Sequence, residues 1–171
     1  MRPDTSSYPQ YFNTYIKLVP EENIVQAIEL HSPYAMQFFS SISEEQSMYK
    51  YADEKWTVKE ILQHVIDAER IFAYRALALA RGEQNALPGF DEVNYAKNAD
   101  TNNRHWSSLV KEFIHVRSSS EDLIKSLDES KMQITGNVSD YRISVLAILY
   151  TLAGHCIHHI NIIKERYLDI D

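Results

Sequence analysis

The sequence predicts an all-α protein organised as a four-helix bundle, and three observations lead to this fold class. The chain of 171 residues contains 4 glycines and 5 prolines, whereas the helix formers Leu, Ala, Glu and Lys are abundant. Four long segments place apolar residues three and four positions apart, the spacing of one helix face. Amphipathic helices bury such faces together as a bundle. We expect one domain over residues 1–171, with a core that needs no disulfide.

Composition excludes several classes of function. A formal net charge of -7 and a pI near 5.5 argue against a nucleic-acid partner, which would require a basic surface. Cys156 is the single cysteine, and the N-terminal residues include Pro3, Asp4 and Ser6 rather than the apolar core of a signal peptide. The apolar runs are interrupted by His, Arg, Lys or Glu, so we expect no membrane-spanning segment. The protein is therefore expected to be cytoplasmic.

The first part of the chain combines an aromatic segment with one helix. Residues 1–20 are rich in aromatic and turn-forming residues, and we expect an irregular N-terminal arm that packs on a larger surface. Residues 21–42 show helical spacing, which Ser32 and Pro33 should kink or split. Residues 43–53 are polar and predict a connection with one helical turn.

The second helix carries the first candidate site residues. Thr57 and Glu60 form the pattern of a capping box, and we expect the helix to run to about Arg81 with Gly82 as its stop. His64 lies on the flank of the apolar face and can point inward. Glu69 projects onto the centre of that face, where a carboxylate is costly unless it is paired. Two interpretations stay open for Glu69, a buried pair with an arginine and a role that supports the site.

A polar connection and a third helix follow. Residues 83–103 show no clear period, and connections of this length are usually lids, binding loops or disordered. We favour a loop that covers the site, with a loosely packed surface loop as the alternative. The third helix spans 104–127, with His105 at its start and His115 opposite its apolar face, so both should face solvent. Residues 128–141 predict a turn or a small excursion.

The fourth helix, capped by Ser144, contains a histidine pair. His155 and His159 are four residues apart and therefore share one helix face. At about 100° per residue, His158 projects about 140° from the centre of the buried stripe, so we expect it to face outward. Cys156 projects onto that centre, where cysteine behaves as a small apolar residue rather than a nucleophile. Taken alone, the pair could be two partly buried histidines with ordinary hydrogen bonds.

A bundle can bring His64 against His155 and His159. Three protein nitrogen ligands with an open fourth position are typical of a catalytic metal site. Imidazole binds Zn, Ni, Cu, Fe and Co, so the spacing does not select the ion. A ferritin-like di-iron centre is excluded, because only Glu112 and His115 fit its motif and that histidine faces outward. The chain also lacks the motifs of a serine hydrolase and of a phosphate-binding loop.

Four segments give the chain a family resemblance: WTVKEILQH at 56–64, DAERIFAYRAL at 67–77, GHCIHH at 154–159 and ERYL at 165–168. Together they resemble the DinB-like superfamily over essentially the whole chain. That superfamily includes bacillithiol transferases and is akin to mycothiol-dependent isomerases. The resemblance implies a four-helix bundle with a divalent metal, zinc or nickel, held by His64, His155 and His159. The superfamily's link to DNA damage concerns induction and implies no DNA binding.

The resemblance also implies a reaction. Characterised relatives hold a low-molecular-weight thiol as a thiolate that attacks an electrophile, which predicts a thiol S-transferase with those two small molecules as partners. Many other members are assigned only as metal-dependent hydrolases, and this is the first alternative. A non-catalytic, stress-associated metal-binding protein is the second.

The fourth helix also bears on assembly. Leu146, Ile157 and Ile162 project away from its main apolar stripe, and a helix that is apolar on several faces is normally buried on several faces. We therefore expect a homodimer, as is common among relatives. The alternative is that the aromatic arm of residues 8–19 covers the second face within one chain.

Overall fold

Four long helices form the frame of the protein in the computed structural model, which describes residues 1–168. The helices are α1 Asn13–Ile16, α2 Ile24–Ser41, α3 Glu44–Ser47, α4 Val58–Ala80, α5 Glu92–Asn98, α6 Trp106–Ser126, α7 Glu129–Met132 and α8 Val145–Arg166. Two strands, β1 Thr135–Val138 and β2 Tyr141–Ser144, and three short 3-10 turns complete the described part of the chain. The long helices α2, α4, α6 and α8 correspond to the four predicted from apolar spacing.

The four long helices occupy the corners of a bundle. α4 packs against α6 and α8, and α2 packs against the same two helices, so α2 and α4 lie at opposite corners. Two contacts along each helix pair show whether residue numbers rise in the same direction. They rise together between α4 and α6 (Gln63–Arg104, then Arg70–Glu112). They run oppositely between α2 and α6 (Glu29–Lys125, then Phe39–Trp106) and between α4 and α8 (His64–His159, then Phe72–His155). α4 and α6 therefore run in one direction, and α2 and α8 run in the other.

Local sequence signals explain where these helices begin and end. The Thr57 side chain accepts a hydrogen bond from the Glu60 backbone N–H, and the Glu60 carboxylate accepts one from the Thr57 backbone N–H, which confirms the predicted capping box. α4 ends before Gly82, whose φ of 91° suits a residue without Cβ. Ser144 accepts from the Ala147 N–H and caps α8, as expected.

The sequence left two outcomes open at Pro33 in the first helix, a kink and a split. α2 continues through Pro33, so the chain is not split there. Buried apolar residues lie on both sides of Pro33, including Ile28 and Phe39, each 0% exposed. Their burial holds the two halves in one helix despite the lost backbone donor of the proline.

The two connections contain more regular structure than the sequence predicts. α5 lies within 83–103, and α7 with the hairpin of β1 and β2 lies within 128–144. Leu87 bridges to Val138, so the long connection is tied to the hairpin. β1 contains Gly136 and Asn137, which are a turn signal, so the sequence predicted a turn where the first strand lies.

The N-terminal arm packs along α8. Its buried side chains are Tyr8, Phe12, Ile16 and Val19, and they share one core cluster with Leu146 and its neighbours in α8. The contact is close at Gly154, where an added Cβ would lie 2.2 Å from the Tyr15 carbonyl oxygen. The arm therefore covers a second apolar face of α8 within one chain.

α8 is apolar enough to qualify as a membrane span by length and composition, although we expected no such segment. It is the one such helix within residues 1–168. In the bundle, however, 72% of its apolar window is buried. Packing against α2, α4 and α1 explains this hydrophobicity.

Candidate metal centre

Three histidines converge between α4 and α8. The Nε2 atom of His155 lies 3.1 Å from Nε2 of His64 and 3.2 Å from Nε2 of His159. One nitrogen from each ring falls within a group whose atoms are all within 4.8 Å of one another. The structure thus brings together the three residues that the sequence singled out, from helices far apart in the chain.

The spacing of these nitrogens fits a single metal ion. With metal–nitrogen bonds of about 2.0–2.1 Å, a tetrahedral ion places two ligand nitrogens about 3.3 Å apart. The observed separations of 3.1 and 3.2 Å are close to that distance. A neutral imidazole has one N–H and one lone pair, so each ring can present a lone pair to a common point.

The surroundings keep the three imidazoles neutral. Burial lowers the pKa of His64 to about 4. The pKa values of His155 and His159 are held well below the usual range, mainly by burial and then by the neighbouring histidines. Neutral rings are the form that binds a metal, so the site does not have to lose protons before binding at neutral pH.

Aromatic side chains fix the orientation of the rings. Trp56 lies against His64 with ring centroids 5.1 Å apart, and Phe72 and Tyr15 lie 5.6 and 5.3 Å from His155. These contacts come from α4, from the turn before it and from the arm. The imidazoles are therefore held in place by packing.

His158 does not face outward as predicted. Its side chain is partly buried, with its ring centroid 5.3 Å from Tyr15 and 5.2 Å from His159. The arm packs on this side of α8 and turns the expected solvent face into a covered one. His158 nevertheless stays outside the group of three converging nitrogens. His105 and His115 are exposed, as predicted.

Glu69 forms a buried ion pair. Arg117 donates from Nη2 to Oε2 of Glu69 at 2.7 Å, and the two side chains are 1% and 2% exposed. Burial raises the pKa of Glu69, and the guanidinium of Arg117 opposes that shift. Of the two interpretations left open, the arginine pair is the one present, and within residues 1–168 no hydrogen bond joins Glu69 to a histidine.

Cys156 lies beside this pair and is not among the residues that line the histidine cavity. Its side chain is buried, and burial raises the pKa of its thiol to about 11. A thiol that stays protonated at neutral pH is a poor nucleophile. This agrees with its predicted role as a small apolar residue of the core.

A cavity of about 400 Å³ opens beside the histidines. Its walls come from the arm, α4, α8, the long connection and the hairpin: Tyr11, Phe12, Tyr15, Trp56, His64, Phe72, Arg75, Gly89, Phe90, Glu92, Ser139, Tyr141, His155, His158 and His159. The long connection therefore lines the site, as its predicted covering role requires. The exposure of Tyr11, Glu92 and Ser139 leaves the cavity open to solvent.

Sequence reasoning missed the polar residues of this wall. Arg75 lies eleven residues after His64, close to three full turns, so a projection of α4 would have placed both on one face. Glu92 and Tyr15 carried no such signal, because they reach the site through the long connection and the arm. Only the folded chain shows that these segments meet at the histidines.

Comparisons with known proteins bear on the fold and the family of this chain. No curated protein matches the chain in sequence. Among solved structures, YfiT from Bacillus subtilis superimposes with a TM-score of 0.72 at 18% identity, covering 96% of this chain and 90% of YfiT. YfiT is described as a probable metal-dependent hydrolase with an unusual four-helix bundle topology. Residues 27–163 match the family described as the DinB superfamily. The chain therefore belongs to the DinB superfamily.

Proposed function

We propose that this protein is a metal-dependent enzyme that transfers a low-molecular-weight thiol to a small electrophile. The observation that carries the proposal is the convergence of His64, His155 and His159 at the wall of an accessible cavity. One divalent ion, zinc or nickel, is the proposed cofactor. The formal net charge of -7 supports small-molecule partners rather than nucleic acid.

The three histidines supply the binding site for the ion. Their neutral rings present Nε2 lone pairs at a spacing that suits one first-row metal. When bound, such an ion lowers the pKa of a coordinated thiol or water. The cavity volume of about 400 Å³ lies within the usual range for small-molecule sites, about 300–1,000 Å³.

Other side chains of the wall orient the ligand and handle protons. Phe12, Trp56 and Phe72 form apolar walls that suit the hydrocarbon part of an electrophile. Burial holds the pKa of Tyr15 above its usual range, and its protonated hydroxyl shares a hydrogen bond with the Tyr11 hydroxyl at 3.1 Å beside the cavity. Glu92 supplies a carboxylate at the exposed edge, where it can pass a proton from the incoming thiol to solvent.

A metal-dependent hydrolase is the second candidate. The description of YfiT favours it, because YfiT has the same fold and is called a probable metal-dependent hydrolase. The same residues would then bind and orient a water molecule and an ester or amide. A non-catalytic metal-binding role is less well supported, since the histidines border a cavity open to solvent.

Metal analysis of the purified protein followed by turnover assays tests the proposal. We expect about one equivalent of divalent metal, and thiol consumption with bacillithiol, glutathione or coenzyme A against a panel of electrophiles. Hydrolysis of esters or amides without any thiol would instead establish the hydrolase. Metal without turnover in either assay would leave the non-catalytic alternative.

Variants of the histidines test the assignment of ligands. His64→Ala and His155→Ala should each lose most of the metal, since two remaining imidazoles bind a divalent ion far more weakly. His158→Ala should keep it, because His158 lies outside the three converging nitrogens. Metal loss from His158→Ala but not from His155→Ala would show that the wrong histidines had been assigned.

A further inference from the structure

Arg75 is a buried cation on the wall of the histidine cavity. Arg75 is 5% exposed, and its Nη2 atom donates one hydrogen bond to the Pro88 carbonyl oxygen at 2.8 Å. None of the ion pairs among residues 1–168 involves Arg75. A guanidinium has five N–H donors, so the bond to Pro88 accounts for a small part of its capacity.

The position of Arg75 relates it directly to the three histidines. His64 and Arg75 share one face of α4 and lie about 16 Å apart along the axis, at about 1.5 Å per residue. Both side chains line the same cavity, which runs along this face of α4. Phe72 lies between them on the same wall. The cavity therefore gives one small ligand access to both Arg75 and the histidines.

Among residues 1–168 the two other buried cations, Lys59 and Arg117, each have the carboxylate partner that Arg75 lacks, and Lys59 lies 2.6 Å from Glu44. Arg117, 1% exposed, is neutralised by Glu69 at 2.7 Å. Arg75 instead has the face of Phe90, whose ring centroid lies 5.6 Å from its guanidinium carbon. A buried charge is costly unless it is paired, and the cavity is the direction in which Arg75 can meet an anion.

We propose that Arg75 binds a carboxylate of the ligand whose thiol end reaches His64, His155 and His159. This inference rests on the proposed function and narrows its substrate class to small thiols that carry a carboxylate. The planar guanidinium matches a carboxylate with two parallel hydrogen bonds. Phe90 covers the cation with apolar surface, Phe72 adds a second apolar wall, and Glu92 adds a negative charge to the same cavity. A single carboxylate fits this balance better than a phosphate of higher charge.

Matched ligands test the proposal on the zinc-loaded protein by calorimetry. One pair is 3-mercaptopropionate and its neutral amide, and the thiol-free pair is butanoate and butanamide. We expect the wild-type protein to bind each carboxylate at least about 10-fold more tightly than its amide, equivalent to about 1.4 kcal/mol. Arg75→Gln should remove this preference while binding the amides unchanged. Arg70→Gln, on an exposed arginine of the same helix, should keep it.

The outcomes separate this inference from the proposed function. A carboxylate preference in the thiol-free pair alone, lost in Arg75→Gln, would support Arg75 and count against thiol transfer. Absence of any carboxylate preference in the wild-type protein, in both pairs, would overturn the inference. If circular dichroism shows that Arg75→Gln does not fold, Arg75→Lys decides the case. Lysine keeps the positive charge but cannot make the two parallel hydrogen bonds of a guanidinium, so the carboxylate preference should weaken without vanishing. An unchanged preference in Arg75→Lys would overturn the inference.

Discussion

At the scale of single residues, the three histidines couple protein stability to pH. Their folded pKa values lie below the value of about 6.5 for an unfolded histidine, with that of His64 near 4. Between these values the unfolded chain binds more protons than the folded one, so stability decreases as pH falls. Above pH of about 6.5 the histidines impose no such penalty.

We therefore predict that the metal-free protein loses stability on acidification from about pH 6.5 towards pH 4. The contribution of His64 alone is on the order of 3 kcal/mol, since one pKa unit corresponds to about 1.4 kcal/mol. Urea unfolding at several pH values measures the effect. His64→Gln should flatten the pH dependence, whereas His115→Gln, at an exposed position, should not. An equal slope in both variants would contradict the prediction.

The buried pair of Glu69 and Arg117 gives a second prediction at this scale. Glu69→Gln leaves the Arg117 cation without its counter-charge, and breaking a buried ion pair from one side costs about 3–5 kcal/mol. The free energy of unfolding should therefore fall by an amount approaching that range, with metal content unchanged. The control is Glu29→Gln, which breaks the exposed pair with Lys125 and should cost at most about 1 kcal/mol. A silent Glu69→Gln would mean that the pair contributes no stability.

At the scale of elements, the contact between α1 and α8 depends on Gly154. Helix propensity alone predicts that Gly154→Ala stabilises α8 by about 1 kcal/mol. The new Cβ, however, would lie 2.2 Å from the Tyr15 carbonyl oxygen, which is backbone and cannot turn aside. Overpacking of this kind typically costs about 1–3 kcal/mol, so the clash outweighs the propensity.

We predict that Gly154→Ala lowers stability and loosens the arm. Tyr15 lies against His155 and His158, so displacement of the arm should expose these histidines. Hydrogen exchange of residues 8–19 and urea unfolding measure the two effects. A more stable variant with unchanged exchange would show that the arm does not hold Gly154 closely.

Local signals explain which elements could be predicted from the sequence. Thr57, Gly82 and Ser144 act on neighbouring residues, so the limits of α4 and α8 follow from sequence. Apolar periodicity allowed His64 to meet the HxxxH pair, and the family resemblance supplied the expectation that it does. The burial of His158 did not follow, because it depends on an arm more than 130 residues away. At Pro33 the sequence left a kink or a split open, and packing on both sides of the proline keeps α2 in one helix.

At the scale of the whole molecule, the arm changes the case for a homodimer. Leu146 is 3% exposed and Ile157 packs on the same core cluster as the arm, so the several apolar faces of α8 are largely covered within one chain. Any dimer contact has to use a different surface. Leu30 and Tyr34, one turn apart on α2, are 61% and 48% exposed and form such an apolar surface.

We predict that the full-length chain is a homodimer and that Leu30→Glu shifts it towards monomer, because a charge placed in an apolar contact must be desolvated. Sedimentation at micromolar concentration measures both states, with Leu77→Glu on α4 as a control at another exposed apolar position. A full-length monomer at that concentration would contradict the dimer.

A chain lacking residues 1–20 should associate more strongly than the full chain, since removal of the arm uncovers the second face of α8. If the shortened chain associates no more strongly than the full chain, the arm does not shield the second apolar face of α8 from solvent.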